Sequence, residues 1–233
     1  MICHVMNLGT IAYQPAWDLQ NRLAAELARG ERPPSLLLLE HPHTYTFGRR
    51  GQSQNLLWSE DKLAERGVAV HWVDRGGDIT YHGPGQLVGY PLIKLNEMDH
   101  VGYVRKLEKM LISALAKLGL VSGQISGKSG VWVQADVASK CPRCKLEDRK
   151  KPAKIAAIGV KVDANGVTRH GFALNVDPDM SYFDGIIPCG IADYPVVSLA
   201  DLFPKAPQME MVKHEVVRAF GETFGFDLLK TSI

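Results

Sequence analysis

The stretch from Lys154 to Val176 constrains the fold more than any other part of this sequence. Lys154–Val162 and Val167–Val176 are two apolar, strand-like runs joined by Asp163-Ala164-Asn165-Gly166. Asn-Gly adopts positive φ at little cost, so the whole reads as an antiparallel hairpin. Ser35–Glu40, Val68–Val73 and Gln86–Leu92 read as further strands. Helical spacing recurs between them. Pro15–Arg29 aligns Leu19, Leu23, Ala24 and Leu27 before Gly30, and Tyr103–Leu118 aligns Val104, Leu107, Leu111, Leu115 and Leu118 before Gly119. Near the C-terminus Met209, Val212, Val216, Val217, Phe220 and Phe224 share one helix face, with Gly225 following. Ser59, with Asp61 and Lys62 behind it, reads as the N-cap of a short helix. Hairpins among interleaved strands and helices argue against a purely parallel, doubly wound sheet. The expected fold class is therefore α/β (α+β), a mixed β-sheet flanked by helices. A chain of 233 residues, 45% hydrophobic and 22% charged, fits one domain spanning 1–233 and excludes a disordered or coiled-coil chain.

Charge and cysteine content narrow the partners. Formal net charge is only +2, too little to announce nucleic acid or a membrane surface. The longest clean aliphatic run is Leu36–Leu39, far short of the ~20 residues that span a bilayer. Met1-Ile2-Cys3-His4-Val5 lacks the basic start and apolar run of a signal peptide. Four cysteines make no disulfide framework at this length, so reduced thiols and a cytoplasmic protein are expected.

Two segments carry unusual chemistry. Arg75-Gly-Gly-Asp-Ile-Thr-Tyr-His-Gly-Pro-Gly-Gln86 packs four glycines and a proline into twelve residues with several polar side chains. It reads as a loop, either a plain connection or one that approaches a ligand closely. It matches neither the dinucleotide fingerprint nor the phosphate-cradling P-loop. Ile186-Ile-Pro-Cys-Gly-Ile191 sets Cys189 at a bend, as an exposed thiol or as a small buried hydrophobe. The Gly190 amide beside it is expected to be free to face an oxyanion. Lys154 opens an apolar strand, so its amine either snorkels to solvent or faces a site. Cys141-Pro-Arg-Cys144 lacks the second ligand pair that structural zinc needs, and His41-Pro-His43 is a weaker metal hint still. A reduced, uneventful loop and no metal are expected there.

In order along the chain, Arg75–Gln86, Lys154-Ile-Ala-Ala-Ile-Gly159, His170-Gly-Phe-Ala-Leu-Asn-Val176 and Ile187-Pro-Cys-Gly-Ile191 resemble the motifs of lipoyl(octanoyl) transferases. Thr46-Phe-Gly-Arg49 with Asn55-Leu-Leu57 resembles that family's early segment, and the resemblance runs from about residue 35 to 201. It implies transfer of an octanoyl group from octanoyl-acyl carrier protein to a lysine on lipoyl domains of 2-oxoacid dehydrogenases or of the glycine-cleavage H protein. It also implies a fold similar to the biotin and lipoate ligases, and no cofactor. On this resemblance Cys189 is the acyl-thioester cysteine and Lys154 the lysine whose charge favours its thiolate. The substrate-binding segments fall on Arg75, Gly76, Gly77, Asp78, Ile79, Thr80, Tyr81 and His82, on Ala157, Ile158 and Gly159, and on Gly171, Phe172 and Ala173. Lys154 and His82 are both open as the base for the acceptor lysine. One stretch departs from the family pattern: the CxxC-containing loop at about 138–152 is longer and more basic than expected. Its cations either steer an acidic carrier protein or belong to a solvated surface loop with no partner. An ATP-dependent ligase, suggested by Gly48-Arg-Arg-Gly51, and a non-catalytic acyl-binding module are the alternatives. Neither requires the Cys189–Lys154 pair.

Overall fold

The chain runs β1 (Ile2–Thr10), α1 (Tyr13–Ala28), β2 (Ser35–Glu40), β3 (Thr44–Phe47), α2 (Glu60–Glu65), β4 (Ala69–Trp72), β5 (Ile79–His82), β6 (Gln86–Leu92), α3 (His100–Lys117), β7 (Gly123–Ile125), β8 (Lys128–Val133), α4 (Ala135–Ala138), β9 (Ala153–Val162), β10 (Thr168–Asn175), α5 (Leu199–Leu202), α6 (Met209–Phe224) and β11 (Asp227–Lys230). This computed structural model describes residues 1–190 and 193–231. Ile191, last in the Ile187–Ile191 motif, lies outside the described residues.

Eight strands form a mixed sheet in the order β11-β1-β2-β6-β10-β9-β8-β7. β11, β1 and β2 run parallel, and every pairing from β2 through β7 is antiparallel. A smaller sheet, β4-β3-β5, lies apart from it. The mixed α/β architecture expected from the sequence is the one found.

Leu36–Leu39 shows why the large sheet has helices on both faces. Leu36 and Leu38 join the main core, which holds Leu107, Leu111 and Leu115 of α3 and Val216 and Phe220 of α6. Leu37 and Leu39 point the other way, into the cluster with Leu23 of α1 and with Val88 and Ala173. A strand buried on both faces reads as a continuous aliphatic run. Helix ends follow local chemistry: Ser59 and Asp99 cap α2 and α3 through their side chains, and Gly225 closes α6 at φ 72°.

The β9–β10 hairpin forms as expected. Gly166 takes φ 76°, and Asp163 Oδ1 accepts the amides of Asn165 and Val167 at 2.8 and 3.0 Å, closing the turn. Three expectations need correction. Ile79–His82 is a strand of the small sheet rather than loop, so only its glycine-rich flanks turn the chain. Those four residues are β-branched, aromatic or His, and pairing with Thr44–Phe47 outweighs the surrounding glycines. Cys141 and Cys144 are joined as a disulfide, not left as reduced thiols, because the turn after α4 sets their Cα atoms 5.5 Å apart. The Gly190 amide is not free; it donates to the Ile187 carbonyl at 3.0 Å.

Candidate active site

The two sheets enclose a pocket of about 520 Å³. Its sheet-side wall is made of cross-strand pairs of small residues: Gly159 stands opposite Gly171, and Ala157 opposite Ala173. A Cβ at Gly159 would be tight, 3.0 Å from Arg75 Cδ and 3.1 Å from the Gly76 carbonyl. From the small sheet, Thr80 and His82 line the pocket, while Ile79 and Tyr81 are fully buried beside Tyr45, Phe47 and Tyr182. Strand alternation sends successive side chains to opposite faces.

Cys189 and Lys154 meet at one side of this pocket. Lys154 Nζ lies 3.4 Å from Cys189 Sγ and 4.8 Å from the ring centroid of Trp132. The lysine is buried to 6% exposure, so its amine faces the site and not solvent. Backbone bonds fix its place: the Lys154 amide donates to Pro195 O at 2.9 Å, and Val197 donates to Lys154 O at 3.0 Å. The chain just past Cys189 is thereby stitched to the start of β9, bringing together residues separated by 35 positions. Cys189 itself is partly exposed and sits at φ 58°. Among the described residues no group of three or more His, Cys, Asp or Glu is arranged to hold a metal ion.

Part of the pocket lining is polar and buried. Arg75 donates to the Thr46 carbonyl and, at 2.9 Å, to its hydroxyl, and its Nε has no partner. Gln86 donates its amide N–H groups to Tyr81 O and Asn175 Oδ1, leaving its Oε1 as an acceptor 2.9 Å from His82 Nδ1. His82 therefore carries its proton on Nδ1, and Nε2 accepts from the Thr46 hydroxyl at 3.4 Å. Burial, then the His41 and Arg75 charges, holds His82 well below its ordinary range. Burial likewise lowers His41 to about 4 and depresses His170. His170 Nε2 lies 2.7 Å from Asp74, and that bond more than any other keeps the Asp74 carboxyl far below the usual range. The Tyr13 hydroxyl lies 3.4 Å from His170 Nδ1, and burial raises the phenol to about 12.

Residues 12–221 match the family model of the lipoyl protein ligase A/B catalytic domain. The chain belongs to that family. It is 49% identical over 222 residues to an octanoyltransferase of Chloroflexus aurantiacus, covering 94% of this chain and 93% of that one. It is 49% identical over 197 residues to an octanoyltransferase of Salinispora tropica, covering 84% of each. Among solved structures it resembles the bipartite lipoate protein ligase of Thermoplasma acidophilum, with a TM-score of 0.73 at 17% identity over 100% of this chain and 88% of that one. At such identity the likeness speaks for the fold.

Of the residues singled out in the sequence of this family member, Arg75, Gly76, Gly77, Asp78, Thr80, His82, Lys154, Ala157, Ile158, Gly159, Gly171, Phe172, Ala173 and Cys189 all border the pocket. Ile79 and Tyr81 do not; they pack the small sheet against the Met180–Gly185 turn. Asp78 is occupied structurally: Oδ1 accepts the amides of Gln52 and Ile79 at 3.1 and 2.7 Å, and Oδ2 accepts from Asn55. Several other lining residues, Tyr13, Tyr90 and Lys128 among them, went unread in the sequence. Tyr13 opens α1 and Tyr90 lies in a fully buried strand, so both count as core by periodicity. Lys128 lies beside a glycine turn, where a lone cation carries no pattern, and Arg50 reads only within Gly48–Gly51, as a feature of the ligase alternative. In the basic loop, Arg143 pairs with Asp201, Arg149 donates to Cys144 O and Pro142 O, and Lys151 pairs with Asp148. Arg143 ties the loop to α5, and Arg149 and Lys151 hold the loop's own shape.

Proposed function

We propose that this protein is an octanoyltransferase of protein lipoylation. Its donor is octanoyl-acyl carrier protein, and its acceptor is a lysine of a lipoyl domain, on 2-oxoacid dehydrogenases or the glycine-cleavage H protein. The single observation that carries the mechanism is the 3.4 Å approach of Lys154 Nζ to Cys189 Sγ in a pocket walled by small residues. Cys189 Sγ attacks the thioester carbonyl, the acyl–sulfur bond of the donor breaks, and the carrier's thiol leaves with a proton from Lys154. The acceptor's neutral amine then attacks the Cys189 thioester, loses a proton to Lys154, and releases Cys189. Each step exchanges one acyl bond for another, so no ATP is consumed. Lys154 suits the proton-carrying role better than His82, whose Nε2 is turned toward Thr46. The pocket's apolar wall would take the eight-carbon chain, at up to ~0.8 kcal/mol for each CH₂ buried.

Intact mass after incubation with octanoyl-carrier protein, without ATP, tests this reading. An adduct of one octanoyl group is expected, lost in Cys189→Ala and discharged by a lipoyl domain. Acceptor octanoylation strictly dependent on ATP would instead establish the ligase reading.

A further inference from the structure

The pocket is lined by four cations, Arg50, Arg75, Lys128 and Lys154, against one carboxylate, Asp78, among the described residues. Asp78 is spent on the Gln52 and Ile79 amides and on Asn55. Two of the cations also have work: Lys154 is committed to Cys189 and Trp132, and buried Arg75 to Thr46 and to the Gly76 carbonyl at 2.9 Å. Arg50 and Lys128 are left without a carboxylate partner among the described residues. Arg50 is exposed, on the turn whose amide donates to the Gly77 carbonyl at 3.1 Å. Lys128 begins β8 on a hairpin anchored from below, where buried Glu108 accepts the Gly130 amide at 3.0 Å. Its Nζ rests 5.0 Å from the Tyr194 ring centroid, a contact that holds the ammonium without neutralising it.

An uncharged octanoyl thioester gives these two cations nothing to bind. An anion carried on the same substrate does. Resting on the carrier-protein reading above, we infer that Arg50 and Lys128 form a subsite for the phosphodiester of the donor's phosphopantetheine arm. Arg50 would supply a planar fork and Lys128 a point charge, the two modes by which these side chains hold phosphate oxygens. The arm is thereby anchored at the rim while its thioester sulfur lies beside Cys189. The same charges would also attract a nucleotide phosphate, so the test includes ATP.

Octanoyl thioesters of 4′-phosphopantetheine and of pantetheine differ only in the phosphate. Acylation of Cys189, followed by mass, should favour the phosphorylated thioester in kcat/KM by about five-fold, the equivalent of roughly 1 kcal/mol of charge pairing. In the Arg50→Gln, Lys128→Gln double variant that ratio should fall toward one, and high salt should lower it in the wild type. The ratio cancels any loss shared by both substrates, and matched urea midpoints check that the variant is folded. A wild-type ratio near one, or a ratio unchanged by the double substitution, overturns the subsite. Calorimetry with unacylated 4′-phosphopantetheine, pantetheine and ATP reads the same subsite without any chemistry. Phosphopantetheine binding that depends on Arg50 and Lys128 upholds it even if no thioester acylates Cys189, an outcome that would sink the acyl-transfer reading alone. Binding of ATP but not of phosphopantetheine through these residues overturns it.

Discussion

Cys189 occupies the left-handed region at φ 58°, which costs a side-chain-bearing residue about 1–2 kcal/mol. Its neighbours hold it there: the Ile187 amide donates to Asn55 O at 2.8 Å, and the Gly190 amide closes back onto Ile187. The bend keeps the sulfur partly exposed and turned toward Lys154. The Lys154 ammonium, 3.4 Å away, is placed to pair with that sulfur. Iodoacetamide should therefore label Cys189 about ten-fold more slowly at neutral pH in Lys154→Ala than in wild type. The other thiols do not confuse the measurement. Cys3 is fully buried, with burial pushing its thiol up to about 12, and Cys141 and Cys144 are bonded to each other. Equal labelling rates would remove Lys154 from the mechanism.

Strand alternation shapes the walls of the pocket. On β5 it gives Thr80 and His82 to the pocket and Ile79 and Tyr81 to a core; on β9 and β10 it aligns Ala157, Gly159, Gly171 and Ala173 on one wall. Ala157→Leu should fill part of the space proposed to take the acyl chain. Excluding about two methylenes forfeits ~1.6 kcal/mol, so kcat/KM for an octanoyl donor should drop by roughly ten-fold while a hexanoyl donor suffers less. An equal loss for both chain lengths would place the chain elsewhere. The sequence made β2, β6, the β9–β10 hairpin and α6 legible because their side-chain periods are set by burial within the element itself. It hid β5, because four glycines around that strand mimic a loop and its partner β3 is remote in sequence. β1 and β11 stayed hidden for a similar reason: β11 pairs with β1 from the other end of the chain, β1 also pairs with β2, and neither alternates cleanly. Lys154 and Cys189 could be named from their motifs, but their contact depends on the Pro195–Val197 segment, which carries no local signal.

At the scale of the molecule, the seam between the two sheets is a set of uncharged rings. His41 follows β2, His82 lies on β5 and His170 on β10, with Tyr13 of α1 stacked on His82 at 5.9 Å and tilted against His41 at 5.0 Å. All three histidines are buried, and burial lowers each below its ordinary range, His41 to about 4. In the unfolded chain a histidine binds a proton near pH 6.5. Below that pH the unfolded state takes up protons that the folded seam refuses, so acid shifts the balance toward unfolding. Stability is full above about pH 6.5 and should fall below it, by up to ~1.4 kcal/mol per pH unit for each histidine that stays neutral, down to about pH 4 for His41. Asp74 adds nothing in this window, because its depressed carboxyl contributes stability that is lost only as pH falls below the ordinary carboxylate value near 4. Urea unfolding at pH 7.5, 6 and 5 should therefore show falling stability well before carboxylates titrate. His82→Gln, whose amide can keep the bonds to Gln86 and Thr46, should flatten that slope by about one proton's worth even if it lowers stability at pH 7.5. A slope unchanged by the substitution would mean that the seam is not what acid opens.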